Sequence, residues 1–156
     1  MTNIYTRAAI PEDLLDVVTL GQRMHGESVF RHFNFSVPKF ATLVYTCITN
    51  PDSHFVHVAV SPTKEIIGAF MGSVSEHYFG NDMVASDYLW YVTPKYRGSR
   101  AGVCLIRDFQ KWAADHHAVE VHVGISTGIT GERTGSLLTK LGFDLVGGNY
   151  KLRVVV

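Results

Sequence analysis

The sequence predicts a mixed α/β fold (an α+β arrangement on one mixed sheet), and three observations point to it. Stretches of period-two alternation and apolar stripes at helical spacing succeed one another in the order β-α-α-β-β-β-α-β-α-β-β. The middle strands are joined by short turn signals, which makes the centre of the sheet antiparallel. The last of them runs into a basic, glycine-bearing turn that opens a helix, Val92-Thr93-Pro94-Lys95-Tyr96-Arg97-Gly98-Ser99-Arg100-Ala101-Gly102. No repeat or linker divides the chain, so residues 1–156 read as one domain with helices crossing between strands.

Asn3 to Ala9 alternates as a first strand. Pro11-Glu12-Asp13 opens a helix, because proline is tolerated in a first turn and acidic side chains suit its positive end. Leu14, Val17, Val18 and Leu20 mark the buried stripe, and Gly21 to Gly26 reads as its end. Ser28 to Pro38 is irregular and aromatic. A second helix starts at Ser36 or Pro38 and stops at Asn50-Pro51-Asp52. His54–Val60 and Glu65–Tyr78 read as a hairpin around Ser61-Pro62-Thr63-Lys64. Met83–Thr93 returns after Gly80-Asn81-Asp82. The Ala101–His116 helix follows, with Asp108 and Lys111 read as a solvated pair. Then come a strand Val119–Gly124, a helix Thr130–Leu141 and two closing strands, Phe143–Gly147 and Asn149–Val155. The last of these is apolar enough to pair with a second subunit, so both monomer and homodimer are open.

Composition bounds the function. Apolar residues make up 46% of the chain and charged residues 18%, the balance of a folded domain rather than a disordered one. A formal net charge of zero argues against non-specific nucleic-acid binding, which needs a basic surface. No apolar run reaches the length of a membrane span, and Met1 to Ile10 lacks a signal-peptide core. Cys47 and Cys104 fall in apolar patterns and read as buried thiols, as expected in a reducing cytoplasm. The eight histidines do not form ligand spacings. His54 and His57, three apart in a strand, point to opposite faces, so no metal site is expected.

The turn from Arg97 to Gly102 has the makings of an anion cradle. The first turn of a helix leaves N–H groups unpaired and carries partial positive charge, which suits a phosphate or diphosphate. Gly98 and Gly102 allow close approach of the backbone, and Arg97 and Arg100 add charged donors.

With these residues in place, the chain resembles the GNAT family of N-acetyltransferases over nearly its whole length. The family loop runs Arg/Gln, two residues, Gly, one residue, Gly/Ala after a strand ending Val-x-Pro. Here it is Arg97-Gly98-Ser99-Arg100-Ala101-Gly102 after Val92-Thr93-Pro94. Leu137-Leu138-Thr139-Lys140-Leu141-Gly142-Phe143 is similar to the family's closing helix and Gly-Phe turn. Met24–Ser28 and Gly131–Gly135 resemble a phage-encoded branch, which would act in a host cytoplasm. There are two departures. Arg100 replaces a glycine, and its N–H reaches a phosphate only if its dihedrals are helical. Leu138 stands where many members have the tyrosine that protonates the departing thiolate, and leucine cannot do this.

The resemblance implies a GNAT-like fold and an N-acetyltransferase that uses acetyl-CoA as co-substrate. It would move the acetyl group to a primary amine, on a small molecule or a protein, by direct attack on the thioester. Arg97, Gly98, Ser99, Arg100, Ala101 and Gly102 would hold the diphosphate. The strand Trp90, Tyr91, Val92, Thr93 would pair with the pantetheine arm, which requires neighbouring strands to splay apart. For the base, the residues offer Asp87, Ser86 through a relayed water, and His122, whose ordinary pKa suits the task. Glu76 and Glu27 are weaker candidates, Glu27 being better suited to greeting a cationic substrate. Tyr78, Phe79 and Tyr88 are expected near the acceptor entrance. A GNAT-shaped domain that binds a protein partner and transfers nothing is the alternative, and a phosphate-ligand module of another fold is a third.

Overall fold

The computed structural model describes residues 3–154. Five strands form one sheet in the order β1-β2-β3-β4-β5: β1 (Tyr5–Ala8), β2 (His54–Val60), β3 (Ile66–Glu76), β4 (Met83–Val92) and β5 (Ala118–His122). The first four pair antiparallel and β5 lies parallel to β4, so the sheet is mixed as expected. Helices α1 (Leu14–Glu27) and α2 (Val37–Thr49) cover one face. Helices α3 (Ala101–Asp115) and α4 (Gly131–Lys140) cover the other. β3 is buried on both faces, which explains its near-continuous apolar run.

Local chemistry sets the helix starts. The Ser36 hydroxyl accepts from the Lys39 N–H at 3.3 Å and caps α2, with Pro38 in the first turn. At the entrance to α1 the buried Asp13 carboxylate accepts from the Ile10 N–H at 2.8 Å and from Arg7 of β1 at 2.6 Å. Burial pushes the Asp13 carboxyl up, but the bonds from Arg7 and Ile10 outweigh it and hold it below the ordinary value.

Three expectations need correction. Helix α1 does not end within Gly21–Gly26 but runs through that stretch to Glu27, and the Phe40 ring of α2 occupies the space a Cβ on Gly21 would need. The glycine serves a close helix–helix contact rather than a stop. Asp108 does not pair with Lys111. It accepts from Thr6 of β1 at 2.6 Å and meets His57 Nδ1 of β2 at 2.9 Å, pinning α3 to the sheet, while Lys111 reaches Asp115.

The third correction concerns the closing strands. Phe143–Gly147 and Asn149 onward form no ladder among the described residues, and Val155 lies outside them. Alternation describes side chains, whereas a strand exists only through a partner's backbone. Here Leu145, Val146, Tyr150, Leu152 and Val154 stay exposed, and the segment is tied down by Lys151, whose Nζ donates to the Val29 carbonyl at 3.0 Å. Among the described residues no helix is long and apolar enough to cross a membrane.

Between α3 and the sheet, Phe109 is fully buried and packs against Phe55, Phe70 and Trp112. Phe109→Ala should lower the unfolding free energy by about 3–5 kcal/mol in urea titrations, the usual cost of emptying such a site. A loss under about 1 kcal/mol would mean that the cluster is loosely packed.

Candidate active site

Strands β4 and β5 pair from Met83↔Ala118 to Ser86↔His122 and then part. Beyond that point β4 continues to Val92 with β3 on one side and an open cleft on the other. The ladder with β3 decides which groups face the cleft. The Thr93 N–H donates to the Ile67 carbonyl at 2.9 Å, so in an antiparallel ladder the hydrogen-bonded pairs are Thr93, Tyr91 and Leu89. The N–H and C=O groups of Trp90 and Val92 therefore point away from β3. A bulge at Tyr88, where Leu89 faces Met71 but Asp87 faces Gly72, increases the local twist at the place where the strands separate.

The strand ends in a short 3-10 turn, Pro94–Tyr96, and then the basic loop. Gly98 has φ +88, a conformation that only glycine adopts freely. Arg100 sits at φ −71, ψ −8, the helical region, so the N–H groups of the helix start are aligned despite the missing glycine. Its side chain stays outside, with Nε 3.5 Å from Cys104 Sγ. The first backbone bond of the helix is from the Cys104 N–H to the Arg100 carbonyl. Among the described residues, the N–H groups of Gly98, Arg100, Gly102 and Val103 have no protein acceptor. They form a row of free donors at the positive end of a fifteen-residue helix.

Glu27, at the last position of α1, braces this loop. Its carboxylate receives Arg97 Nη1 at 2.9 Å, Arg97 Nη2 at 3.0 Å and the Tyr91 hydroxyl. Arg97 Nε donates to the Val92 carbonyl at 2.9 Å, and the guanidinium lies 5.3 Å from the Tyr91 ring centre. Burial pushes Glu27 up, but the bonds from Arg97 and Tyr91 hold it below the ordinary carboxylate value. The Tyr91 hydroxyl is pushed up to about 12, first by burial and then by the Glu27 carboxylate.

The cleft is a cavity of about 440 Å³ between the edge of β4, the start of α3, the 124–130 segment and α4. Asp87 lines it. Burial raises the Asp87 carboxyl above the ordinary range, and the Gly124 N–H, 3.2 Å from Oδ1, opposes this only in part. From α4 come Arg133, Thr134, Ser136, Leu137 and Lys140. Thr130, which precedes α4, has φ +45, a left-handed conformation unusual for a β-branched residue and of the kind found at ligand sites.

Of the residues expected from sequence, Asp87, Trp90, Tyr91, Val92, Arg97, Gly98, Ser99 and Gly102 line this one cleft. Arg100 and Ala101, at the helix start, are not among its lining residues: Arg100 is exposed and Ala101 is buried in the core. Tyr91 contributes wall and brace, since its backbone is in the β3 ladder and its hydroxyl on Glu27. Thr93 is buried with its N–H spent on Ile67. Ser86 and His122 lie where the strands still pair, outside the cleft lining, and His122 faces solvent near Glu120. Leu138 is in the core and not in the cleft. Tyr88 lines the cleft, but Tyr78 and Phe79 stack with His77 at the exposed β3–β4 tip, and Phe79 faces a separate depression. Sequence reasoning missed the Glu27–Tyr91 brace and the cations of α4. The motifs Met24–Ser28 and Gly131–Gly135 were the available signal.

No protein-family model matches the sequence, and no curated protein matches it. Solved structures share its fold. The aminoglycoside N-acetyltransferase AAC(6')-Iy in complex with CoA superposes with a TM-score of 0.78 at 15% identity, over 99% of this chain and 96% of that one. The aminoglycoside 6'-N-acetyltransferase AAC(6')-Ih from Acinetobacter baumannii gives 0.75 at 15% identity over 99% of both chains. Glucosamine-6-phosphate N-acetyltransferase from Arabidopsis thaliana gives 0.74 at 12% identity, over 97% of this chain and 98% of that one. The shared fold is that of GNAT acetyltransferases.

The Glu27 brace has a testable pH signature. A carboxylate held below its ordinary pKa contributes stability above that ordinary value and loses it as pH falls through the folded value. Glu27→Gln should cost about 1 kcal/mol at neutral pH, the figure for a charge-assisted bond discounted for partial exposure. In urea titrations the difference from wild type should shrink as the pH is lowered through the carboxylate range. A pH-independent difference would show that the ion pair is not its source.

Proposed function

We propose that this protein is an N-acetyltransferase that uses acetyl-CoA as co-substrate and a primary amine, on a small molecule or a protein, as acceptor. The observation that supports this most is the meeting, in one cleft, of an unpaired strand edge with an unpaired helix start. The edge offers the N–H and C=O of Trp90 and the N–H of Val92, the Val92 carbonyl being engaged by Arg97 Nε. The helix start offers the N–H groups of Gly98, Arg100, Gly102 and Val103. An extended chain of amides ending in a diphosphate matches that sequence of donors, as an added strand does at a sheet edge. Acetyl-CoA has this form, and the fold is one shared with acetyltransferases crystallised with CoA.

When bound, acetyl-CoA supplies the thioester to be attacked. The rest is done by this chain. The loop from Arg97 to Gly102 would hold the diphosphate through main-chain donors, with the Ala101 N–H to Ser99 Oγ bond setting its shape. The Trp90 N–H, free on the cleft side of β4, would be the donor for a carbonyl oxygen held there, a contribution of roughly 2.7–4 kcal/mol for a preorganised donor. Asp87 takes the proton of the attacking amine. Its burial raises its pKa toward the working range of a base, and it stands on β4 three residues from Trp90 in the same cleft. Ser86 and His122 sit on the paired part of the strands, outside the residues that line the cleft. No tyrosine is needed at Leu138, because coenzyme A thiolate is a fair leaving group and water can protonate it.

Calorimetry tests the cofactor. Micromolar binding of acetyl-CoA and desulfo-coenzyme A, exceeding that of ATP, is expected. An absence of binding would sink the transferase reading and favour a GNAT-shaped partner-binding domain.

Asp87 gives a second prediction. The base must be ionised, so kcat/KM for an accepted amine should rise with pH through a limb above the ordinary Asp value. Asp87→Asn should remove that limb and lower kcat/KM by about 10²–10⁴-fold. Stability should move the other way. A carboxyl whose pKa is raised by folding opposes folding once ionised, so Asp87→Asn should raise the urea midpoint at neutral pH. That gain should vanish as pH falls below the ordinary Asp value. An unchanged pH profile in the variant would remove Asp87 from the chemistry.

A further inference from the structure

The cation that the sequence offers for the diphosphate, Arg97, is largely engaged elsewhere. Three of the five guanidinium N–H donors go to Glu27 and the Val92 carbonyl. Arg100 points out of the cleft toward Cys104. A third arginine fills the gap. Arg133, in the first turn of α4, lies against the loop: a Cβ on Gly98 would stand 2.8 Å from its Nη2. Among the described residues Arg133 has no hydrogen-bond or ion-pair partner, although it lines the cleft and sits on the residue with φ +88. An unpaired guanidinium held beside a row of free N–H donors is a fork without a carboxylate or phosphate.

We infer that Arg133 is the side chain that engages the cofactor diphosphate, and that Arg97 is a positioning residue that braces the loop through Glu27. This rests on the reading of the cleft as an acetyl-CoA site. The division of labour has a physical logic. A loop that must present main-chain N–H groups needs an anchor on its protein side, and the Glu27–Arg97 pair supplies one. The anion then needs a charge on its solvent side, and α4 supplies that from across the cleft. Gly98 fits the same picture. Its missing side chain lets the guanidinium reach the plane of the loop. The left-handed Thr130 sets the start of α4 beside the cleft. Binding of the diphosphate would therefore join α4 to α3 across the mouth, through an anion that each of them contacts.

The test compares three ligands by calorimetry on wild type, Arg133→Gln, Arg133→Lys and Arg97→Gln. Coenzyme A carries the diphosphate and the 3′-phosphate, dephospho-coenzyme A only the diphosphate, and pantetheine neither. Arg133→Gln should weaken coenzyme A and dephospho-coenzyme A alike, by roughly 10- to 100-fold for one charge-assisted contact. It should leave pantetheine and the thermal midpoint unchanged, because Arg133 is exposed and its side chain has no other partner among the described residues. Arg133→Lys should restore part of the loss. Arg97→Gln should lower the thermal midpoint as well as the affinity. Unchanged dephospho-coenzyme A binding in Arg133→Gln would overturn the assignment. A loss confined to coenzyme A would overturn it in favour of a contact to the 3′-phosphate. Failure of the wild type to bind any of the three would instead bring down the acetyl-CoA reading, so the two failures are distinguishable.

Discussion

The separation of β4 from β5 is the constraint on which the site depends. A strand inside a protein must have its N–H and C=O groups paired on both sides. Here the parallel ladder stops at Ser86↔His122, and β4 runs on for six residues with one side open. The groups of Trp90 and Val92 on that side lie next to a cavity and not next to another strand. The fold thus leaves one edge of the sheet open to the cavity. The bulge at Tyr88, the segment from Gly124 to Thr130 and the placement of α4 all follow from keeping that gap open.

Holding a gap open costs stability, and the structure offsets this locally. Arg97 closes one orphan by donating to the Val92 carbonyl. Glu27 gathers Arg97 and Tyr91 at the end of α1, tying the α1–α2 face to the loop that opens α3. The free donors of α3 are aligned because Arg100 is helical and Gly98 is left-handed. Asp87 is desolvated in the same wall. The cleft thus gathers groups left unpaired or moved away from their ordinary pKa, while the core around Phe55, Phe70 and Phe109 is buried.

Much of this was legible beforehand because it is local. Ser36, Pro38, Asn50-Pro51 and Ser61–Lys64 announce a cap, a stop and a turn through chemistry confined to a few neighbours. The basic turn after Val92-Thr93-Pro94 announces a strand-to-helix anion cradle in the same way. Illegible were features whose meaning depends on a distant partner. Gly21 to Gly26 reads as a stop until Phe40 of another helix is seen packed against Gly21. Asp108 reads as half of a helical pair until β1 and β2 place Thr6 and His57 against it. The alternation after Phe143 reads as two strands until the absence of a ladder for them is seen.

The sequence by itself determined the element order through β5 and α4, the mixed sheet, the loop and the presence of Asp87 on the strand leading to it. These follow from periodicity, capping and turn chemistry, which act over short stretches of chain. Only the tertiary structure decided which of several plausible groups share the cleft. It set Asp87 into the wall and left His122 in solvent. It put Leu138 in the core, tied Arg97 to Glu27, and brought Arg133 to Gly98 from thirty-five residues away. The reason is that hydrogen bonds, ion pairs and desolvation depend on distance in space, and nothing in the local pattern encodes which remote side chain will arrive.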